Sequence, residues 1–338
     1  MKHILSGSRS RVGSLVAGAA AVAAVLAAAG CSAAATTAQS AANTTTVSAS
    51  STAAANGGFQ LVELNNNHDD TFNQLLGINN EGVIAGYFGS GAAGHPNKGY
   101  WFASPYAQSN YANENFPGSA QTQVIGINDS DVTVGFFANS AGTQNQGFWE
   151  ANGRFHAVRI PWRNQANPPI SQLLGINDAG WAVGFYNNSK GNAVGFAYNP
   201  RFNEFKQVNV PGATSVTAAG VNDESTITGF YTNSAGTTDG FVKWANGHWQ
   251  SIAVPGASAT NPTGINDRGE VVGTYTVGTG SSAVTHGFTW MNGTITTVDF
   301  PAASSTSING VNNEGDIVGF YTDAAGNTDG FLGLPAAK

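Results

Sequence analysis

Residues Gly77 to Phe88 read GINNEGVIAGYF, and the same shape returns as GINDSDVTVGFF from Gly126, GINDAGWAVGFY from Gly175, GVNDESTITGFY from Gly220, GINDRGEVVGTY from Gly264 and GVNNEGDIVGFY from Gly310. Successive copies are 49, 49, 45, 44 and 46 residues apart, and in each a second Gly follows the first at a fixed interval (Gly86, Gly135, Gly184, Gly229, Gly273, Gly319). A period of this length in a Gly-rich, strand-forming sequence is the signature of a propeller blade.

Working outward from the motif, each unit reads as four strands. Strand A ends in Gly-Ile/Val-Asn, an Asn/Asp turn follows, and strand B is the alternating run that closes on Gly and two residues, usually aromatic. A second hairpin leads to strand C at Gly-Phe or Gly-Tyr (Gly99, Gly147, Gly195, Gly240, Gly287, Gly330), and Asn-Gly turns C into D at Asn152-Gly153, Asn246-Gly247 and Asn292-Gly293. Asn-Gly is the strongest short hairpin signal. The longer, Pro-containing D-to-A connection places A innermost and D outermost. Phe59-Gln60-Leu61-Val62-Glu63-Leu64 matches a D strand such as Phe205 to Val210, whereas the repeats end just past a C strand at Gly330-Phe331. The expected fold is therefore all-β, a six-bladed propeller over residues 58–338 whose last blade takes its outer strand from the N-terminal side, hiding an exposed edge.

The units resemble the extracellular HAF-type repeat family, in which a GIN-D-x-G-x-V-V-G element pairs with a His-Ala-Phe element. The resemblance covers nearly all of residues 59 to 334; His286-Gly287-Phe288 is nearest to the second element, and most copies carry Gly-Phe without the His. It implies secretion and a β-repeat fold, and no particular activity.

Composition agrees with the repeats. The 338 residues include 44 Gly and only 10% charged residues, against roughly 25% in ordinary globular chains, which excludes a coiled coil, a helical bundle or an acid-rich disordered chain. Residues 1 to 57 hold three bases and no acid, leaving 20 acids against 10 bases beyond them. Nucleic acid is not an expected partner, since its phosphates call for a basic surface.

Lys2, Arg9 and Arg11 precede an uncharged run from Val12 to Gly30 that ends in small residues before Cys31, the only cysteine. Residues 1–30 thus read as an export signal. Ala28-Ala29-Gly30-Cys31 resembles a bacterial lipobox, with Ala28 where Leu is favoured, and implies lipidation of Cys31 as the sole membrane attachment of an envelope lipoprotein; secretion or periplasmic release after Ala27-Ala28-Ala29 is the alternative. Residues 31–57 are Ala, Thr, Ser, Asn and Gly with little else, a tether spanning on the order of 28 Å.

Six Asx residues after Gly-x-Asn (Asn80, Asp129, Asp178, Asp223, Asp267, Asn313) are expected to make a ring on one face. Carboxylates with amides suggest calcium, but turns demand the same residue types, and the turn reading is preferred, with no metal and no cofactor expected. The aromatics Trp101, Trp149, Tyr198, Trp244 and Trp290 recur along strand C, and inter-blade packing is preferred over sugar binding. Five histidines beyond the signal never form a close pair, against a zinc site.

Departures from the repeat are where function should show. They include His95, Lys98, His156, Trp162, Arg163, Arg201 and Glu204. The face carrying the longer B–C and D–A loops is the expected binding face, with Trp162 and Arg163 as anchor and His95 and Lys98 as further contacts. The reading favours a monomeric, non-enzymatic binding module for an extracellular protein or glycan. A polysaccharide-active enzyme with its site at the central channel is the alternative, and a purely structural envelope component a third possibility.

Overall fold

The computed structural model describes residues 56–336. The export signal, Cys31 and the tether as far as residue 55 lie outside the described residues; Asn56, at the tether's end, is buried.

Among the described residues the first strand is β1 (Phe59–Glu63). A first unit follows: β2 (Asn73–Ile78), β3 (Ile84–Phe88), β4 (Lys98–Phe102) and β5 (Ala112–Asn113). The second is β6 (Gln121–Ile127), β7 (Thr133–Ala138), β8 (Asn145–Ala151) and β9 (Arg154–Ala157), and the third is β10 (Ser171–Ile176), β11 (Ala182–Asn187), β12 (Ala193–Asn199) and β13 (Glu204–Val208). The fourth is β14 (Ala213–Val221), β15 (Ile227–Asn233), β16 (Thr238–Lys243) and β17 (Trp249–Ile252), and the fifth is β18 (Ala259–Ile265), β19 (Val271–Val277), β20 (Val284–Met291) and β21 (Thr294–Val298). The last strands are β22 (Ser305–Val311), β23 (Ile317–Thr322) and β24 (Thr328–Pro335). Helical structure among the described residues is confined to the 3-10 turns Gln108–Asn110 and Gly280–Ser282.

Pairing within units is antiparallel in sequence order, and β1 completes the last sheet by pairing with β24, Phe59 opposite Pro335 and Glu63 opposite Phe331. The fourth and fifth units share one sheet through a single parallel bridge, Thr238 to Ala259. The described residues are all-β, built of four four-stranded sheets and the eight-stranded sheet of the fourth and fifth units, none of which closes on itself.

The two glycines of the repeat have separate causes. Strand A bulges one residue before the first Gly in every unit, as between Leu75 and Gly77. A Cβ on Gly77 would lie 2.6 Å from the Ile125 carbonyl of the next unit, so the first Gly lets inner strands approach each other. A Cβ on Gly86 would lie 2.2 Å from the Gln74 carbonyl across the bulge, so the second Gly accommodates the bulge within its own unit.

The Gly-Phe/Tyr element of strand C works across units. Tyr100, Phe148, Phe196, Phe241, Phe288 and Phe331 are all fully buried, each contributing about 1.5–3 kcal/mol by burial. The preceding Gly leaves room for strand A of the unit that follows: Gly99 faces Val124, Gly147 Leu173, Gly195 Val216, Gly240 Pro262 and Gly287 Ile308, and Gly330 faces Leu75 of the first unit. The core is accordingly a series of apolar layers between units, such as Val183, Ala197 and Val208 of the third packed with Val216, Ala218 and Phe241 of the fourth.

Register revises the grouping of strand-C aromatics. Trp101 and Trp149 pair with Ala85 and Val134, whereas Tyr198 and Trp290 sit one place later, opposite Ala182 and Val271. Because side chains alternate between faces, the two pairs point to opposite sides of their sheets. Trp244 falls beyond β16, in the turn to β17.

Candidate functional site

The A–B turns carry two rings of hydrogen bonds. In the first, each motif Asn turns its own chain and ties to the next: Asn79 Oδ1 accepts the amides of Glu81 and Val83 at 3.1 and 2.8 Å, while its Nδ2 donates to the Asn128 carbonyl at 3.0 Å. Asn128 donates to Asn177 (3.1 Å), Asn177 to Asn222 (2.9 Å), Asn222 to Asn266 (3.1 Å), Asn266 to Asn312 (2.9 Å), and Asn312 back to Asn79 (3.4 Å).

The second ring is made by the Asx residues one place on. Asp129 Oδ1 accepts the Asn80 amide (2.7 Å), Asp178 that of Asp129 (2.7 Å), Asp223 that of Asp178 (2.7 Å), Asp267 that of Asp223 (2.8 Å), Asn313 that of Asp267 (2.9 Å) and Asn80 that of Asn313 (2.8 Å). These side chains bind backbone amides, as a turn reading expects, but the amides belong to the neighbouring unit; the residue before them makes the turn.

The two uncharged members have an electrostatic reason. Asn80 and Asn313 also donate Nδ2 to the second oxygens of Asp129 (2.8 Å) and Asp267 (2.6 Å), one at each end of the run of four carboxylates. In the middle of that run, burial together with the neighbouring Asp223 and Asp129 carboxylates outweighs the Asp129 amide and pushes Asp178 up to about 6. Both rings line a shallow mouth of about 90 Å³. Below it the bulge residues form a waist of about 70 Å³, apolar at Leu76, Ile125, Leu174 and Ala219 and polar at Thr263 and Asn309. Among the described residues, no group of three or more His, Cys, Asp or Glu is arranged to hold a metal.

The residues expected to anchor a ligand stand on different units. Trp162, between β9 and β10, stacks on Tyr186 at 5.3 Å and meets Phe196 and Phe205 edge-on, with Arg163 exposed beside it. His95, in the β3–β4 loop, points Nδ1 at Asp69 Oδ2 (3.2 Å), and Lys98 opens β4, half-buried. Trp162 is thus partly a packing residue. Its indole also forms a wall of an open groove of about 570 Å³ with Arg159, Pro161, Tyr198 and Asn203.

A second cleft, of about 370 Å³, lies on the other side of the third unit, between it and the fourth. Trp181, Lys206, Lys243 and Trp244 line it, with Gln207 and Ser225. Lys206 Nζ stands 4.0 Å from the centroid of the Trp181 ring and 3.1 Å from Glu204 Oε1, and Lys243 Nζ donates to the Asn209 carbonyl at 3.1 Å. Sequence reasoning passed over Trp181, although a signal was present: the place after the turn is Val83, Val132, Thr226, Glu270 and Asp316 in the other copies.

No family model matches the chain, and no curated protein is similar to it in sequence. Solved structures are similar in fold. A structure described as that of YjhT aligns at TM-score 0.50 with 12% identity, over 79% of this chain and 94% of that one. A gluconolactonase from Xanthomonas campestris aligns at 0.48 with 11% identity (83% and 92%), and the Aleuria aurantia lectin, bound to a fucose-containing disaccharide, at 0.46 with 10% identity (79% and 97%). Of a prolyl endopeptidase that also aligns, at 0.43 and 12% identity over 75% of this chain, the chain spans 40% of the length. At 12% identity the likeness to the YjhT structure concerns fold alone, and fold by itself does not carry function.

Proposed function

We propose that this chain is an exported propeller of six blades, related to the HAF-type repeats, that serves as a non-enzymatic binding module for an extracellular glycan or protein. Pairing of β1 with β24 and the return of both Asx rings to the first unit support closure of the six units into one ring. The leader pattern and Cys31 support an envelope lipoprotein that stands off the membrane on its tether.

The observation that carries the binding reading is the groove beside Trp162, where a half-buried indole is held by stacking on Tyr186 while the same ring walls an open cavity. A preoriented aromatic beside Arg159 and Asn203 offers apolar contact and hydrogen bonding at little ordering cost. The mouth of the channel supports the same choice over an enzyme, because each Asx side chain there already accepts a backbone amide of the ring.

The test is a screen of the full chain against immobilised glycans and envelope extracts, with Trp162→Ala and Arg163→Ala in parallel. Saturable binding that weakens at least tenfold in the Trp162 variant is the expected result; binding unaffected by both variants overturns the assignment to this groove. Cys31→Ser should move the protein from the membrane fraction to the soluble fraction, and unchanged membrane retention would refute the lipid anchor.

A further inference from the structure

The cleft between the third and fourth units arises where the repeat is broken at several positions at once. In the first two units strand C carries Trp101 and Trp149, opposite Ala85 and Val134, and these indoles pack into the layer towards the following unit. The corresponding residue of the third unit is Ala197, opposite Val183 on one side and Lys206 on the other. The later units carry Val242, Thr289 and Leu332 at this place, so Ala197 is the smallest of the six and leaves the gap open. Trp181 reaches its edge from the A–B turn of the third unit, and Trp244 from the C–D turn of the fourth.

The cations are departures too. At the register position of Lys206 the other units carry Ala112, His156, Gln250, Thr296 and Val62. At that of Lys243 they carry Phe102, Glu150, Tyr198, Trp290 and Gly333. Two of the 10 bases beyond residue 57 therefore converge on one cleft, in a region holding 20 acids.

We propose that this cleft binds an anionic pyranose, a sugar residue bearing a carboxylate or a sulfate. The proposal rests on the binding-module reading and adds to it a second site and a ligand class. Indole surface suits the apolar C–H face of a pyranose ring, and the Ser225 hydroxyl can exchange hydrogen bonds with its hydroxyls, while Gln207, one place on from Lys206, turns its side chain to the opposite face, towards Tyr186. The two ammonium groups supply the charge selection: the chain's surplus of acids repels a polyanion elsewhere, and the sugar's acid group takes the place of the exposed Glu204 carboxylate at Lys206. A volume of about 370 Å³ falls within the range of small-molecule sites, about 300–1,000 Å³.

The test is titration calorimetry of the full chain with four probes: an oligogalacturonate, a sulfated galactan oligosaccharide, uncharged cellotetraose, and polyglutamate as an acidic polymer without sugar. At least one acidic saccharide should bind, weakening as salt rises, with cellotetraose and polyglutamate at least tenfold weaker. Lys206→Gln with Lys243→Gln should weaken that binding at least tenfold, Trp181→Leu likewise, and Trp162→Ala should leave it within twofold. Which of the two acidic saccharides binds identifies the acid group. Failure of both to bind, equal binding of polyglutamate or cellotetraose, or indifference to the double lysine variant each overturns the proposal. If acidic saccharides fail while the glycan and extract screen finds a ligand lost in Trp162→Ala, the broader module stands without this site; if neither arm binds, both readings fall.

Discussion

The mouth of the channel and the flanks of the third unit are built from the same repeat and use it in opposite ways. At the mouth every unit contributes the same pair of Asx residues, and their polar atoms serve neighbouring units. Beside the third unit, Ala197, Trp181, Lys206 and Trp162 depart from what the other copies carry, and open clefts result. Repetition holds the molecule together, and its interruption leaves open clefts. Substitutions at repeat positions should therefore cost stability, whereas those at interrupted positions should cost binding.

The largest stability loss is expected at strand C. Phe196 is fully buried between the second and third units, so Phe196→Ala should destabilise by about 3–5 kcal/mol, through lost burial and the cavity left behind. Urea denaturation followed by tryptophan fluorescence measures it. A loss below about 1 kcal/mol would show that the inter-unit layers relax freely, contrary to a close-packed interior.

Next comes the ring itself. Asn177 is buried, donates to the Asn222 carbonyl and accepts the Trp181 amide at 2.8 Å. Asn177→Ala strands both partners, at about 1–3 kcal/mol for each group left unsatisfied. The equivalent change at Asn222 should cost a similar amount, since it makes the same bonds to Asn266 and Thr226. Unequal losses at the two places would mean that the ring is not a uniform tie.

A pH-dependent effect of comparable size resides between the first and second units. Glu114 is buried there, accepts the Thr133 hydroxyl and lies near Glu150; burial pushes it from its ordinary 4.5 up to about 7, the Thr133 bond opposing and Glu150 reinforcing the rise. Between these values the folded chain holds a proton that the unfolded chain has released, so stability falls as pH rises through that window and is lowest above pH 7. The loss has a ceiling of about 3 kcal/mol at 1.36 kcal/mol per unit of pKa. Glu114→Gln retains an acceptor for Thr133 and removes the charge. It should match the parent at pH 4.5 and exceed it at pH 8; a variant equally stable at both would show that Glu114 is ionised in the fold without penalty.

How much could be read in advance follows the same division. Gly77 and Gly86, and their counterparts, were legible because close approach and bulge geometry admit no other residue, so the period and strand order follow from the letters. Pairing of Phe59–Glu63 with the last strand was legible for the same reason, as a D-like segment matched to a unit lacking one. The Asx ring was half legible: the residue type announced a turn, but partners 44 to 49 residues away depend on how units stack. The lysine cleft was hidden. Its residues come from β13, the end of β16 and two separate turns, and only the strand register shows that Ala197 stands where two other units have Trp.

The smallest stability effect is expected at that cleft, and it is the sharpest test of the comparison. Lys206 and Glu204 pair on the surface with both side chains about half exposed, a class of ion pair that contributes about 0–1 kcal/mol. Lys243 reaches only an exposed backbone carbonyl at Asn209. Lys206→Gln with Lys243→Gln also gives up the Lys206–Trp181 cation–π contact, and should therefore unfold within about 1 kcal/mol of the parent. Urea midpoints at low and high salt measure this directly. A loss above about 1 kcal/mol would make the lysines a structural seam between the third and fourth units; an unchanged midpoint together with lost binding of an acidic sugar would separate the residues that hold the ring from those that depart from it.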